Sequence, residues 1–200
     1  MLSPREREFA TLVDQLRALE EDIAAARRGP QPVVRPRVLA CDVHGERVTL
    51  ADGAQIVVRP IEPDDLGELA AGFRRLGAVS RFRLFGERVD RLTHEQLVEL
   101  TNVDHCSRES LVALDAATGE GVGLARYRRL PDDPARAAVA CTVVDGWQHR
   151  GVGTVLVERL ATRARAAGIE TCTALIVLGN RPARRLLAHF AEGIGDRRAL

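Results

Sequence analysis

One segment constrains the fold of this chain more tightly than any other: Gln148-His149-Arg150-Gly151-Val152-Gly153-Thr154. It follows a β-like run from Arg136 to Val144 and opens a helical pattern running from Val152 to Ala167. Glycine at 151 and 153 allows a tight turn and the close approach of another group. The helix leaves the N–H groups of its first turn without intrahelical partners, pointing outward with the positive end of the dipole. A diphosphate suits such a terminus, and Arg150 is positioned to add a charged donor. Beyond it the elements alternate. The helix ends at Gly168, Thr171 to Leu178 reads as a strand, and a last helix starts near Asn180 and runs through Leu186, Leu187 and Phe190.

Upstream the pattern is different. β-like runs at Arg37 to Val43, Glu46 to Leu50 and Ala54 to Arg59 are separated by His44-Gly45 and Asp52-Gly53, as in a meander. Leu66, Leu69, Ala70, Phe73 and Leu76 then share one helix face, and Thr93 with Gln96 forms a capping box at the start of another helix. Ser110 to Asp115, Gly121 to Leu130 and Arg136 to Val144 read as strands between turn formers. The expected domain is mixed α/β, spanning residues 37–200, with no internal repeat.

Ahead of it, residues 1–28 predict a helix capped by Ser3, Pro4 and Glu6. Its seam of Phe9, Leu12, Leu16, Leu19 and Ile23 packs either on its own domain or on a second copy of the chain. Residues 29–36 form a proline-rich connector.

Composition narrows the function classes. With 29 basic and 28 acidic residues the net charge is +1, so the excess of cations that phosphate-backbone binding uses is missing, and no nucleic-acid partner is expected. Every basic residue is arginine, which excludes lysine Schiff-base and P-loop lysine chemistry. Four scattered cysteines without a C-x-x-C spacing, and an N-terminus without an apolar signal region, predict reduced thiols in a cytoplasm. No apolar run approaches the roughly 18 residues of a membrane span. The five histidines show no ligand spacing with cysteines or carboxylates, so no metal is expected.

The stretch from Val143 through Gly153, with the helix, strand and Asn180-Arg181-Pro182-Ala183 that follow, resembles the GNAT superfamily of acyl-coenzyme A dependent N-acyltransferases and its Q/R-x-x-G-x-G/A loop. The resemblance covers residues 46 to 190. Ser80-Arg81-Phe82-Arg83-Leu84-Phe85 and Val103-Asp104-His105 are most similar to the bacterial branch that includes the catalytic domain of protein-lysine acetyltransferases. It implies a mostly antiparallel sheet with splayed central strands flanked by helices. It further implies acetyl-CoA as acyl donor and an amine of a small molecule or protein as acceptor. Val143 and Val144 would hold the pantetheine arm by their backbones, and Gln148, His149, Arg150, Gly151, Val152, Gly153 and Thr154 the pyrophosphate. Asn180 would approach the cofactor, although it is also a good N-cap wherever it occurs, and Trp147 reads as a packing residue.

The pattern breaks at the proton acceptor. An amine of pKa near 10.4 is only about 0.04% neutral at pH 7, so a base is needed. Where the related branch has a Glu, ten positions before the loop Gln, this chain has Ala138; where the family has a thiolate-protonating Tyr it has Leu187. Asp104, His105 and Glu109 are the available replacements, His105 first because its ordinary pKa lies near the working pH. Cys106 beside it does not form a nucleophile–base pair, since adjacent residues seldom face one another. The family's two further terminal strands find no counterpart, which leaves the 171–178 strand as an open edge for the N-terminal region or a partner chain to cover. A homodimer is the expectation. If the missing Glu abolishes turnover, the alternative is a catalytically impaired acyl-CoA-binding regulatory or interaction module.

Overall fold

The structure, a computed structural model, describes residues 45–177 and 179–196. The expectations for the helix at 1–28, the connector at 29–36, the strand at 37–43 and the last four residues lie outside the described residues.

Six strands form one sheet in sequence order. β1 (Glu46–Thr49), β2 (Gln55–Pro60), β3 (Arg108–Asp115), β4 (Gly121–Arg129) and β5 (Arg136–Val143) are antiparallel neighbours, and β6 (Thr171–Thr173) joins β5 in parallel. Five α-helices accompany them: α1 (Leu66–Arg75), α2 (Ala78–Phe85), α3 (His94–Thr101), α4 (Val152–Ala166) and α5 (Arg181–Ile194). Among the described residues no helix is long and apolar enough to cross a membrane.

α4 buries Val152, Leu156, Val157, Leu160, Ala161 and Ala164, a helical stripe, against the sheet face carrying Leu111, Ala113, Ala125, Tyr127 and Ala137. Each fully buried leucine contributes about 1.5–3 kcal/mol by leaving water. Gly168, at φ 79°, stops the helix, its N–H reaching Arg165 O while Ile169 N–H reaches Ala164 O. α5 packs on α4 where small residues meet: a Cβ on Gly193 would stand 2.6 Å from Ala161 Cβ, and one on Gly153 3.1 Å from Leu186. The other sheet face is flanked by α1, whose Arg75 and Glu68 bond the Gly121 backbone, and by α3, whose Glu99 is 3.7 Å from Arg128.

Two expectations are corrected. Residues 80–85, for which no element is read from the sequence, lie in α2, bracketed by Gly77 at its N-cap and by Gly86 at φ 72°. The strand expected from Thr171 to Leu178 stops at Thr173. β6 pairs with β5 only at Arg136, Ala137 and Ala138, after which the strands part, and an apolar β-branched run without a ladder partner does not remain a strand.

Candidate active site

The parting of β5 from β6 builds the site. The Gly123–Val143 pair is of the non-hydrogen-bonded type, because the flanking Val144 N–H donates to Val122 O at 2.9 Å. Val143 therefore turns its own N–H and C=O away from β4, toward the opening, and Cys141, two residues earlier, does the same. Val144 does not. Its N–H goes to Val122, and its C=O accepts from Trp147 N–H at 2.8 Å, so of these three residues Val143 and Cys141 have backbone groups facing the opening.

Below Val144 a short 3₁₀ turn, Asp145–Trp147, leads into the glycine loop. His149 at φ 60° and Gly151 at φ 95° both adopt the left-handed region. Gly151 is the N-cap of α4, and a Cβ there would meet nothing within 4 Å, so space stands open before the helix terminus. The first intrahelical bond at this end runs from Val155 N–H to Gly151 O at 3.1 Å, leaving Val152, Gly153 and Thr154 N–H as the orphan donors. Gly153 has a second reason to lack a side chain, namely its close packing on Leu186 and Val143.

The side chains expected at the pyrophosphate have other partners. Gln148 Nε2 donates to Val143 O at 3.0 Å, Asp145 Oδ1 at 3.0 Å and Ser80 Oγ at 3.1 Å. Asp145 in turn accepts from Ser80 Oγ at 2.5 Å and from Gly77 N–H at 3.0 Å. Gln148 thus positions the loop against the start of α2 instead of offering its amide to an anion. Arg150 lies over the Trp147 ring at 4.1 Å, and its Nε donates to Asp52 Oδ2 at 2.5 Å, holding that carboxyl below its ordinary pKa. Asn180 Oδ1 accepts from Ala183 N–H at 3.3 Å, the N-cap role. His149 is exposed.

His105 and Glu109 are brought together, but elsewhere. His105 Nδ1 is 2.8 Å from Glu109 Oε1, an oxygen that also accepts from Ser110 N–H, and Arg163 on α4 is 2.8 Å from Oε2. The Glu109 hydrogen bond raises the His105 pKa, against the burial that lowers it. Glu109 is 2% exposed and pairs in register with Tyr127, on the α4 face, whereas Ala138 pairs with Arg128, one residue out of phase and therefore on the opposite face. Glu109 therefore lies on the face opposite the one that carries Ala138, the position where the resemblance implies the base. Burial pushes the Cys141 thiol up to about 12 and the Cys172 thiol to about 11, which makes neither a nucleophile. Among the described residues no group of His, Cys, Asp and Glu could hold a metal ion.

Beside β6, Leu175, Ile176, Val177, Arg181, Arg184 and Leu187 line an open cleft of about 850 Å³. Leu187, at the position expected to protonate the leaving thiolate, is part of its wall.

A parted pair of parallel strands, outward backbone groups on the first and a glycine-led helix terminus at its end are the features of an acyltransferase fold. The sequence profile described as Acetyltransferase (GNAT) family matches residues 80–191, and the chain belongs to that family of N-acyltransferase enzymes. It is 27% identical over 140 residues to a Mycolicibacterium smegmatis protein named Acetyltransferase Pat, covering 70% of this chain but 42% of that protein. Similarity to a Pseudomonas aeruginosa acetyltransferase is 28% over 141 residues, covering 69% of this chain and 75% of that protein. Among solved structures, the GNAT domain of S. lividans PAT superposes with a TM-score of 0.67 at 29% identity, covering 73% of this chain and 86% of that domain. The chain spans less than half the length of the M. smegmatis relative.

Proposed function

We propose that the chain binds acetyl-CoA along the opening between β5 and β6 and transfers the acetyl group directly to an amine of a small molecule or protein. The single observation carrying this reading is the continuity of Val143, which turns its backbone into the opening, with the vacant approach to Gly151 at the α4 terminus. Val143 and Cys141 would hold the pantetheine arm, and the N–H groups of Val152, Gly153 and Thr154 the pyrophosphate, with Gln148 and Asp145 fixing the loop. Acetyl-CoA supplies an activated thioester. The amine nitrogen, once neutral, bonds to its carbonyl carbon, the C–S bond breaks, and the proton lost from nitrogen is balanced by one gained at sulfur.

The proton leaves on the sheet face that carries Ala138, where the chain offers no carboxylate at the expected position. Ala138 and Leu187 together favour a second reading, an acyl-CoA-binding module with impaired turnover. Calorimetry with acetyl-CoA, followed by thiol release in the presence of an amine panel, separates them: binding with turnover supports the enzyme, binding without turnover the module. Absence of heat at about 1 mM acetyl-CoA, the range of weak binding, defeats both.

Residues 37–200 are proposed as the acyl-CoA-binding domain, with 1–28 as a helix and 29–36 as its connector. A homodimer in the cytoplasm belongs to the same proposal. Its support is the outer edge of β6, which has no strand neighbour among the described residues, together with Leu175, 49% exposed beside it, and Cys141 and Cys172, which form no disulfide. Light scattering of the full chain and of a truncation starting at Val34 tests it; a monomeric full chain removes it.

A further inference from the structure

Alternation along β4 sends Gly123, Ala125 and Tyr127 toward α4, and Leu124, Arg126 and Arg128 to the opposite face, the one that carries Ala138. Arg126 stands directly across from Ala140 on β5 and Ser110 on β3. Ala140 lies two residues beyond Ala138, where pairing with β6 ends, so Arg126 is rooted one strand from the mouth of the opening, about 5.5 Å between Cα atoms for such a hydrogen-bonded pair. Its neighbours toward the opening, Ala138, Ala140 and Thr142, are all small.

Arg126 is exposed although its strand lies inside the sheet. At the same time its pKa is lowered, first by burial and then by the charge of Arg128. Among the described residues no carboxylate pairs with it: Glu99, whose field reaches it, lies 3.7 Å from Arg128 instead. Arginine remains charged at any working pH, and an exposed guanidinium on the face that carries Ala138, beside the opening, is available to an anionic group of the acceptor.

We propose that Arg126 determines acceptor specificity by binding a carboxylate carried close to the reactive amine. This rests on the acetyl-transfer reading and adds the acceptor's chemical class to it. The planar fork of Arg126 matches one carboxylate bidentately. The carboxylate is supplied either by a free amino acid or by an acidic residue beside a lysine in a peptide.

The test compares matched acceptors with the full chain: L-lysine against cadaverine, L-ornithine against putrescine, and a lysine peptide with adjacent glutamate against the same peptide with glutamine. The wild type is expected to prefer carboxylated members, the first two pairs reporting a free amino acid and the third a peptide. R126M raises KM for the preferred member about 10- to 100-fold, as for a lost charge-assisted bidentate contact, with no comparable rise for its partner. R126K falls between, and R126E reverses the preference. Acetyl-CoA affinity, measured by calorimetry, stays the same in all variants, so failure of donor binding is read separately. Where no amine turns over, the same pairs are compared by ligand-observed NMR on coenzyme A-loaded protein. Equal treatment of every pair by the wild type, in turnover or binding, overturns the proposal, as does an equal loss for both members in R126M.

Discussion

Gln148 Nε2 and Ser80 Oγ, 68 positions apart, meet at 3.1 Å and join the glycine loop to the first turn of α2. The bond is one of a set centred on Asp145, which takes the Ser80 hydroxyl and the Gly77 N–H while also accepting from Gln148. Loop geometry at the proposed acetyl-CoA site therefore depends on a helix that meets the loop through the Ser80 hydroxyl and the Gly77 N–H. D145A removes the acceptor of the Gly77 N–H and the Ser80 hydroxyl and, these bonds being exposed, should cost about 0.5–1.5 kcal/mol of stability. Acetyl-CoA affinity should fall with it. Thermal melts and calorimetry read the two effects, and an unchanged affinity would show that the loop holds its shape unaided.

Gly151 offers a second handle on the same loop. Its φ of 95° strains any L side chain, and the space before it is open to an incoming anion. G151D adds a negative charge at the positive end of the α4 dipole and should abolish detectable acetyl-CoA binding by calorimetry. G151A carries the backbone strain without the charge; retained binding in G151A beside its loss in G151D would assign the effect to charge.

For the proton, the register yields opposed expectations for two variants. A138E places a carboxylate directly opposite Arg128 and diagonal to Arg126, and these cations lower its pKa and weaken it as a base. The gain in acetyl transfer should sit near the lower end of the roughly 10²- to 10⁴-fold range of general-base catalysis. H105A should leave the rate near that of wild type. A fall of about 10²-fold in H105A, with no gain in A138E, would restore His105 to the role the sequence suggests.

Arg163 and Glu109 meet at 2.8 Å with Glu109 buried. R163M leaves a buried carboxylate short of its cation and should destabilise the fold by about 3–5 kcal/mol. The double variant R163M/E109Q removes the stranded charge and should recover part of the loss, a coupling that chemical denaturation of the four proteins in the cycle measures.

The His105–Glu109 contact also sets a pH dependence. Its folded pKa is raised above the unfolded value near 6.5, so the stability it contributes is complete below that value and lost as pH rises through the folded pKa. With the imidazole about half exposed, the effect is modest after solvent screening. The melting temperature of the wild type should fall relative to H105Q as pH rises from about 6 to 9. Parallel curves for the two proteins would remove His105 as the titrating group.

The sequence by itself determined the α/β class, the strand–glycine loop–helix order at 148–154, the capping box at Thr93 and the helix stop at Gly168, because these are local matters of φ, orphan N–H groups and periodicity. Asn180 as an N-cap was equally legible, since capping needs only the residue and the three that follow. Tertiary structure decided the rest. Whether 174–177 stays a strand depends on a partner that β5 withdraws, and the sequence shows only β-prone side chains there. Gln148 and Arg150 look like anion ligands in a linear motif, but Ser80, Asp145 and Asp52 claim them from 68, 3 and 98 positions away. The same holds for Glu109: its nearness to His105 in sequence is real, yet strand alternation turns it to the α4 face, toward Arg163. Arg126 is one arginine among many in the chain. Its register against Ala140, beside a parting that exists only in the folded sheet, distinguishes it from the others.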